Sequence, residues 1–454
     1  MSLAVLSPLD TAFLRLESST APMHIASLTV LEGPASSLDE VRDLISRRLH
    51  RLPRYRQVVR EAPLSFARPA WVDDEHFELD HHVLAAAVPE GDLTGGRDLC
   101  ARLLERHLDR SRPLWETWLV TGLPDGAWGL LSKVHHCMVD GIAGTDLLAQ
   151  VLDLTPDPGP PEPTEAWEPQ PAPGLARQVV AGLPSPSIPS LRSLSHPRAT
   201  VRHVVTEAEG LLRWAAMARP TSASPLAGAL GSSREWLWAD VALADVSTVR
   251  QAHGGTVNHV VEALLCSALR QLLLERGLRP QRGSVRSLVP VSVRGGARGR
   301  STLEANKVSA VLADLPVDVS DPVERYHAVR RELVRLRWSG QAEAGQLLTS
   351  IAALVPPTAL TTTLSAGFRV PHRHLTTVTT NVPGPPVPLF ALGRRVRALH
   401  PFVPIGDRLR LGFAVTSYDE RLWFGITVDQ DHVPDAGVLV PALLRSLDDL
   451  LERC

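Results

Sequence analysis

The sequence predicts a two-lobed α/β protein, and three observations carry that expectation. The chain has 454 residues, 44% of them hydrophobic, which is enough to bury more than one core. Runs with strand and helix periodicity alternate in both halves, in similar order. Between the halves, residues 156–173 hold eight prolines in 18 residues, with Asp157, Glu162, Glu165 and Glu168 and no basic residue, the composition of an extended linker. The expected division is an N-terminal lobe at 1–155, an interdomain segment at 156–235 and a C-terminal lobe at 236–454.

In the first lobe, residues 24–31 read as a strand. Ser37 and Glu40 have capping-box spacing ahead of a helix that carries Leu38, Val41, Leu44, Ile45 and Leu49. Residues 127–134 (AWGLLSKV) read as a short buried strand, and 142–154 as a helix with Leu147, Leu148, Val151 and Leu152 at helical spacing. Beyond the prolines, residues 174–219 carry six arginines against two glutamates, with Leu175, Val180, Leu183, Leu211 and Trp214 among them. This basic, partly amphipathic stretch either packs as helices between the lobes or lies on an anionic membrane or lipid-droplet surface. The second lobe opens near Trp236 with a strand signal, WLWADVAL. A long helix follows Thr256, with Val257, Val260, Val261, Leu264, Leu265, Ala268, Leu269 and Leu272 in one stripe that core packing explains.

Several classes are excluded at this level. A formal net charge of -2 gives no nucleic-acid signature. Cys100, Cys137, Cys266 and Cys454 lie far apart with no CxxC spacing, so neither a zinc site nor a disulfide framework is expected. No run of about 18 apolar residues is present, and the N-terminus has no basic region leading into an apolar one, so a cytoplasmic protein is expected.

The chemistry concentrates in HHCMVDG, residues 135–141, at a strand-to-helix junction. Successive strand side chains point to opposite faces, so only one of His135 and His136 faces a given cavity, which argues against a shared metal. An imidazole suits general base work near neutrality. Asp140 orients the ring, braces the turn or caps the next helix, and Gly141 permits close backbone approach. Alternation puts Lys133 on the same face as His135, a structural position. Cys137 beside His136 raises a Cys–His nucleophile as a lesser reading, since direct acyl transfer needs no acyl-enzyme.

These residues resemble the bacterial wax ester synthase/diacylglycerol acyltransferases of the CoA-dependent acyltransferase superfamily. The resemblance spans nearly the whole chain. It rests on LSPLDTAFLRLESSTAPMHIASLTVLEG (6–33), FELDHHV (77–83), LDRSRPLWETWLVTGL (108–123), SKVHHCMVDG (132–141), PVSVR (290–294), TNVPGPPVPLF (380–390) and TSYDERLWFGITVDQDHVPD (416–435). HHxxxDG alone is shared with peptide-synthetase condensation domains and chloramphenicol acetyltransferase-like enzymes, whereas PLWE, HHxxxDG and NVPGP in this order are specific. The family has an Asn-Asp pair at the start of a helix where this chain has Asn258 and His259. Ala305 precedes Asn306 where the family has Gly, and Thr380 precedes Asn381 where Ser is commoner.

The resemblance implies two chloramphenicol acetyltransferase-like lobes with an active-site channel between them, His136 as general base, His135 supportive and Asp140 structural. It implies O-acyl transfer from acyl-CoA to diacylglycerol or a long-chain fatty alcohol, with acyl-CoA as substrate and no cofactor or metal. Asn258, Thr416 and Ser417 are the candidate oxyanion or substrate-orienting donors, and Asn381 is expected to shape a turn between restricted prolines. Arg294, Arg298, Arg394 and Arg395 are the candidate CoA contacts, with solvated surface loops the competing reading. Two alternatives stand beside the acyltransferase: a condensation-type enzyme forming an amide, and a non-catalytic lipid-surface or lipid-binding protein. Contact with the inner membrane or a lipid droplet, if made, is expected to be peripheral.

Overall fold

The computed structural model describes residues 3–63, 67–139, 150–157, 159, 167–183, 224, 226–292, 308–338, 375–406 and 408–454. In chain order the N-terminal half contains α1 (Pro8–Leu16), β1 (His24–Leu31), α2 (Leu38–Arg48), β2 (Gln57–Arg60), β3 (Ala70–Asp73), β4 (Val83–Ala87), α3 (Leu93–Glu105), β5 (Trp115–Thr121), β6 (Trp128–His135) and α4 (Leu175–Gly182). The C-terminal half contains β7 (Arg234–Ala242), α5 (Leu243–His253), α6 (Val257–Glu275), β8 (Arg286–Ser292), β9 (Val308–Asp314), α7 (Pro322–Trp338), β10 (Thr377–Val382), β11 (Phe390–Ala391), β12 (Arg394–Phe402), β13 (Leu411–Tyr418), β14 (Arg421–Asp429) and α8 (Leu439–Leu451).

Two six-stranded sheets organise these elements. One has the order β11-β12-β1-β6-β5-β4 and the other β7-β14-β13-β10-β8-β9, while β2 and β3 form a separate ribbon. The division between sheets does not follow a single point in the sequence. β11 and β12 belong to the expected C-terminal lobe at 236–454, yet β12 pairs antiparallel with β1 and completes the N-terminal sheet. The physical reason is edge protection: without β12, β1 would present an unpaired ladder to solvent.

The two sheets touch where β14 crosses β12. A Cβ at Gly425 would sit 1.6 Å from the Pro401 carbonyl oxygen, so only glycine allows this approach. Trp236 of β7 donates its indole N–H to the same carbonyl (3.2 Å) and packs edge-on against Phe402. Arg234 adds a buried polar tie: its main-chain N–H donates to Glu105 of α3 (2.6 Å), and its guanidinium donates to the carbonyls of Gly231 and Thr20.

Local sequence explains the helices that matter for the site. Ser7 and Asp10 form a capping box with Pro8 in the first turn of α1, and Ser37 with Glu40 caps α2 as the spacing predicts. The stripe on α6 is buried in the main C-terminal core, against α5, α7, α8 and the second sheet. α6 is also the one helix among the described residues long and apolar enough to cross a membrane, and most of it is buried.

The linker leaves a partial trace. Trp167 lies under the Arg56 guanidinium (4.5 Å) and Gln170 donates its N–H to Asp73 (3.0 Å), so the end of the proline-rich segment runs over the first lobe. α4 continues there, with Gln178 donating to the Arg60 carbonyl (2.7 Å). Leu175, Val180 and Leu183 are left exposed. Residues 184–223, which hold most of the basic stretch, lie outside the described residues, as do 142–149 of the helix expected after the histidine motif.

Replacing Gly425 by Ala forces a methyl into the β14–β12 crossing, and the expected cost is about 3 kcal/mol, at the upper end for overpacking. Thermal unfolding of the purified variant checks it, and an unchanged midpoint would mean that the crossing does not hold the sheets.

Candidate active site

The motif strand β6 ends inside the protein. All eight of its residues are buried, paired with β1 on one side and β5 on the other. His135 is its last residue, directly opposite His24 of β1. His136 begins a single 3-10 turn, His136–Met138, so the two histidines diverge because the backbone changes from strand to turn between them.

His135 points into a closed polar nest. The Cys137 main-chain N–H donates to its Nδ1 (3.1 Å), which leaves the proton on Nε2, 3.9 Å from the Glu17 carboxylate. Glu17 is itself held by Arg110 (2.6 and 3.1 Å) and by the Met23 N–H (3.2 Å). Burial drives the His135 pKa down to about 4 despite the nearby carboxylate, so the ring is neutral near pH 7. His24 is equally buried and neutral. Lys133 shares that face, as alternation predicts. Its ammonium donates to the Leu103 (3.1 Å) and Arg106 (2.5 Å) carbonyls, closing the C-terminal end of α3.

His136 has other partners. Phe13 of α1 stacks on its ring, with centroids 3.8 Å apart and planes 21° apart, and its main-chain N–H donates to the Met23 carbonyl (2.8 Å). Met23 in turn packs into the space that Gly406 leaves in the β12–β13 connection. Burial lowers the His136 pKa, while contact of the ring with its own main-chain carbonyl opposes that shift. Nδ1 finds no other partner among the described residues. The result is a neutral imidazole on an aromatic shelf. Asp140 and Gly141 lie outside the described residues.

PLWE braces this strand. The Leu114 carbonyl accepts the His135 N–H (2.9 Å), and the buried Trp115 donates its indole N–H to Tyr55 (2.8 Å) and stacks on His82. Cys137 is buried and its thiol is pushed up, so it is not the thiolate a Cys–His nucleophile requires.

A second cluster assembles in the C-terminal half. Asn381, at the end of β10, donates its carboxamide N–H to Asn258 Oδ1 in the first turn of α6 (3.3 Å). Asn381 was expected to shape a turn; instead it is a strand residue whose side chain spans a sequence gap of 123 residues to reach the helix. Because Asn258 spends its oxygen on Asn381, its own amide protons remain as donors. Thr416 donates its hydroxyl to the Val382 carbonyl (3.0 Å), and Ser417 Oγ accepts the Gly384 N–H (3.0 Å). A Cβ at Gly384 would meet the Ser417 carbonyl at 2.1 Å. Both hydroxyls thus hold the NVPGP loop against β13, and that loop in turn carries Asn381.

His259 has a clear local role. Its Nδ1 accepts the Thr256 N–H (3.1 Å) while its own N–H donates to Thr256 Oγ1 (3.4 Å), a capping box for α6. Burial, then Arg330 and Arg337, lower its pKa and keep Nδ1 available as an acceptor. A short acidic side chain is the usual occupant of such a position, and the imidazole lone pair substitutes for it.

Among the candidate CoA contacts, Arg395 is exposed and ion-paired with Asp419 (2.7 Å), and Arg394 lies exposed beside Gly33 on the same edge. Arg294 and Arg298 lie outside the described residues. Among the described residues no hydrogen bond or ion pair joins the His136 cluster to the Asn258 cluster; contact between the sheets, including Met23 against Gly406, brings the halves together.

Two sheets, the first completed by β11 and β12 of the C-terminal half, with a buried HHxxxDG histidine at a strand end, define the two-lobed fold of acyltransferases and condensation enzymes. The description "Wax ester synthase/diacylglycerol acyltransferase catalytic domain" matches residues 6–261 and "WS/DGAT C-terminal domain" matches residues 304–451. The chain belongs to the wax ester synthase/diacylglycerol acyltransferase family. It is 36% identical to the probable diacylglycerol O-acyltransferase tgs1 of Mycobacterium tuberculosis, an alignment covering 99% of this chain and 95% of that protein. Among solved structures, a wax ester synthase/diacylglycerol acyltransferase from Marinobacter aquaeolei VT8 matches with a TM-score of 0.70, at 25% identity, over 99% of both chains. The starter condensation domain of rhizomide synthetase RzmA shares the fold at 14% identity, with a TM-score of 0.58 over 99% of this chain and 95% of that one.

The buried neutral histidines set the acid response. His135 has a folded pKa of about 4 and His400, sandwiched against Trp238, one of about 3, both below the ordinary value near 6.5. Below pH 6.5 the unfolded chain binds protons that the folded histidines refuse, so stability falls as pH drops from 6.5 towards 4. Each ring contributes up to roughly 3 kcal/mol of that loss at pH 4. Denaturant titrations between pH 7.5 and 4.5 should show this slope, and His400→Phe should flatten it; a wild-type curve with no slope would contradict the burial argument.

Proposed function

We propose that this acyltransferase moves a long-chain acyl group from acyl-CoA to diacylglycerol or to a long-chain alcohol, with His136 as general base. The carrying observation is the state of His136: a neutral, partly exposed imidazole stacked on Phe13, in a motif that lies within the matched catalytic domain. With the proton on Nδ1, which makes no hydrogen bond to a described residue, the Nε2 lone pair is left for substrate.

In this reading Nε2 takes the hydroxyl proton as the acceptor oxygen attacks the thioester carbonyl. The tetrahedral oxyanion then collapses, the C–S bond breaks, and the imidazolium returns the proton to the CoA thiolate. The ester C–O bond replaces the thioester C–S bond, and no proton is gained or lost. The acyl group arrives activated as a thioester, so the reaction needs no cofactor. Asn258 is the favoured oxyanion or substrate-orienting donor, because Asn381 occupies its oxygen and leaves its amide protons free. Thr416 and Ser417 act through the loop they hold. His135 supports from behind, and Asp140 keeps the structural role that the family resemblance implies.

The diacylglycerol acceptor is supported by the name of the Mycobacterium tuberculosis relative, and the alcohol acceptor by that of the Marinobacter protein. Peripheral contact with the inner membrane or a lipid droplet, from the cytoplasmic side, is supported by the exposed Leu175, Val180 and Leu183 at the start of the basic stretch.

His136→Ala should lower kcat/KM by about 10³-fold, within the usual range for loss of a general base. The assay is purified protein with radiolabelled palmitoyl-CoA and either dioleoylglycerol or hexadecanol, read as labelled ester. Unchanged ester formation by the variant would remove His136 from the mechanism, and no ester from folded wild type would favour a lipid-binding role.

A further inference from the structure

One polar group near Asn258 has no part in the mechanism above. Glu262 lies in the second turn of α6, four residues after Asn258 and therefore on the same helix face. It is completely buried, and neither carboxyl oxygen makes a hydrogen bond to a described residue. The carboxyl faces Thr379 of β10, whose hydroxyl is shared with Ser287 of β8 (2.9 Å). Thr379 and Asn381 are two residues apart on β10, so both point to α6. Helix and strand therefore meet in two adjacent polar rungs, Asn258 with Asn381 and Glu262 with Thr379.

We propose that Glu262 is a positioning residue for the Asn258–Asn381 pair. As a neutral acid it leaves the Asn381 carboxamide proton to Asn258 and so keeps the Asn258 amide protons aimed outward. As a carboxylate it is a stronger acceptor than an amide oxygen and competes for the same donor one turn away. The proposal rests on Asn258 contacting substrate, as argued above.

The surroundings favour the neutral form. Taking an unpaired carboxylate out of water is costly, and among the described residues no cation faces this one. Along α6 the neighbouring titratable groups are His259, whose pKa burial lowers and whose Nδ1 accepts the Thr256 N–H, and Cys266, a buried thiol pushed up to about 12. From α7, Arg325 donates to Ser267 (2.9 Å) and lies by Cys266. α8 presents Ser446, which donates to Ser267 (2.7 Å). β8 and β10 present the hydroxyls of Ser287, Thr377 and Thr379. With burial as the main cause, the Glu262 carboxyl titrates at about 8.

The chain has three asparagines, Asn258, Asn306 and Asn381, so protein labelled with carboxamide-¹³C asparagine gives three carbonyl signals. Wild type, Glu262→Gln and Glu262→Ala are compared from pH 6 to 9.5, with signals assigned by single Asn→Gln substitutions and thermal unfolding confirming the fold in each buffer. The Asn258 and Asn381 signals of wild type should move together with a midpoint near pH 8, and should not move in Glu262→Gln. In parallel, ester formation by wild type should fall about ten-fold through the same range. Glu262→Gln should stay within about two-fold of wild type at pH 6.5 and lack the alkaline fall, and Glu262→Ala should not rescue it. Asparagine signals that ignore pH, or an alkaline fall retained in Glu262→Gln, would overturn the proposal. If wild type makes no ester but the two signals titrate together, the positioning stands and the substrate reading fails.

Discussion

The structure depends on one backbone crossing. β12 leaves the C-terminal half to complete the N-terminal sheet, and β14 then passes so close that Gly425 lies against the Pro401 carbonyl. No side chain mediates that contact, so it cannot slacken by a change of rotamer. It fixes β13, β10 and the NVPGP loop on one side and β1 with the end of β6 on the other. Trp236, Phe402 and Arg234 fill the space around it. The two halves of the chain are consequently one structural unit, even though each has its own sheet and its own apolar clusters.

The histidine motif shows how one chain break in regularity separates two roles. While the backbone is extended, His135 shares its face with Lys133 and is sealed beside Glu17 and Arg110. One residue later the 3-10 turn sends His136 against Phe13. Burial keeps both rings neutral, but their usefulness differs. His135 has given Nδ1 to a main-chain N–H and turns Nε2 towards a carboxylate, so no lone pair is left for a substrate. His136 keeps one. In the proposed mechanism the pair supplies a single base, His136, and the polar groups around His135 hold its tautomer and the backbone.

Much of this was legible from local pattern. Alternation placed Lys133 with His135 and split the two histidines, and the Ser37–Glu40 spacing gave the α2 cap. PLWE marked the resemblance, and in the fold its Leu114 and Trp115 brace the motif strand. What local pattern could not show is what distant segments do to each other. Asn381 sits between a strand signal and two prolines, which reads as a turn; only the stacking of β10 under α6 shows its side chain reaching Asn258. The start of β12 read as a surface loop on its arginines, Arg394 and Arg395, and nothing in its own residues says that it pairs with the edge of β1. His259 looked like a lost acid, since the hydrogen bond it makes as a cap uses a lone pair that residue-type rules do not credit to histidine. Glu262 was hidden by its setting, a single charged letter in a stripe of valines and leucines.

α6 explains why these misread residues fall together. From Val260 onward one face of the helix is core, and its apolar residues account for its length and its place between the second sheet and α8. Its first two turns add three polar side chains to that stripe, Asn258, His259 and Glu262, and Asn258 accepts from Asn381 of the NVPGP loop. The N-terminus of a helix concentrates unpaired N–H groups and a partial positive charge, which favours negative charge developing nearby. An acid at the third helical position would cap the turn equally well but would set a full negative charge against that field. Neutral His259 supplies the cap without it, and a neutral Glu262 behind the first turn likewise adds no charge. His259 and a neutral Glu262 therefore have one electrostatic sense: neither sets a negative charge against the positive end of α6, where Asn258 lies.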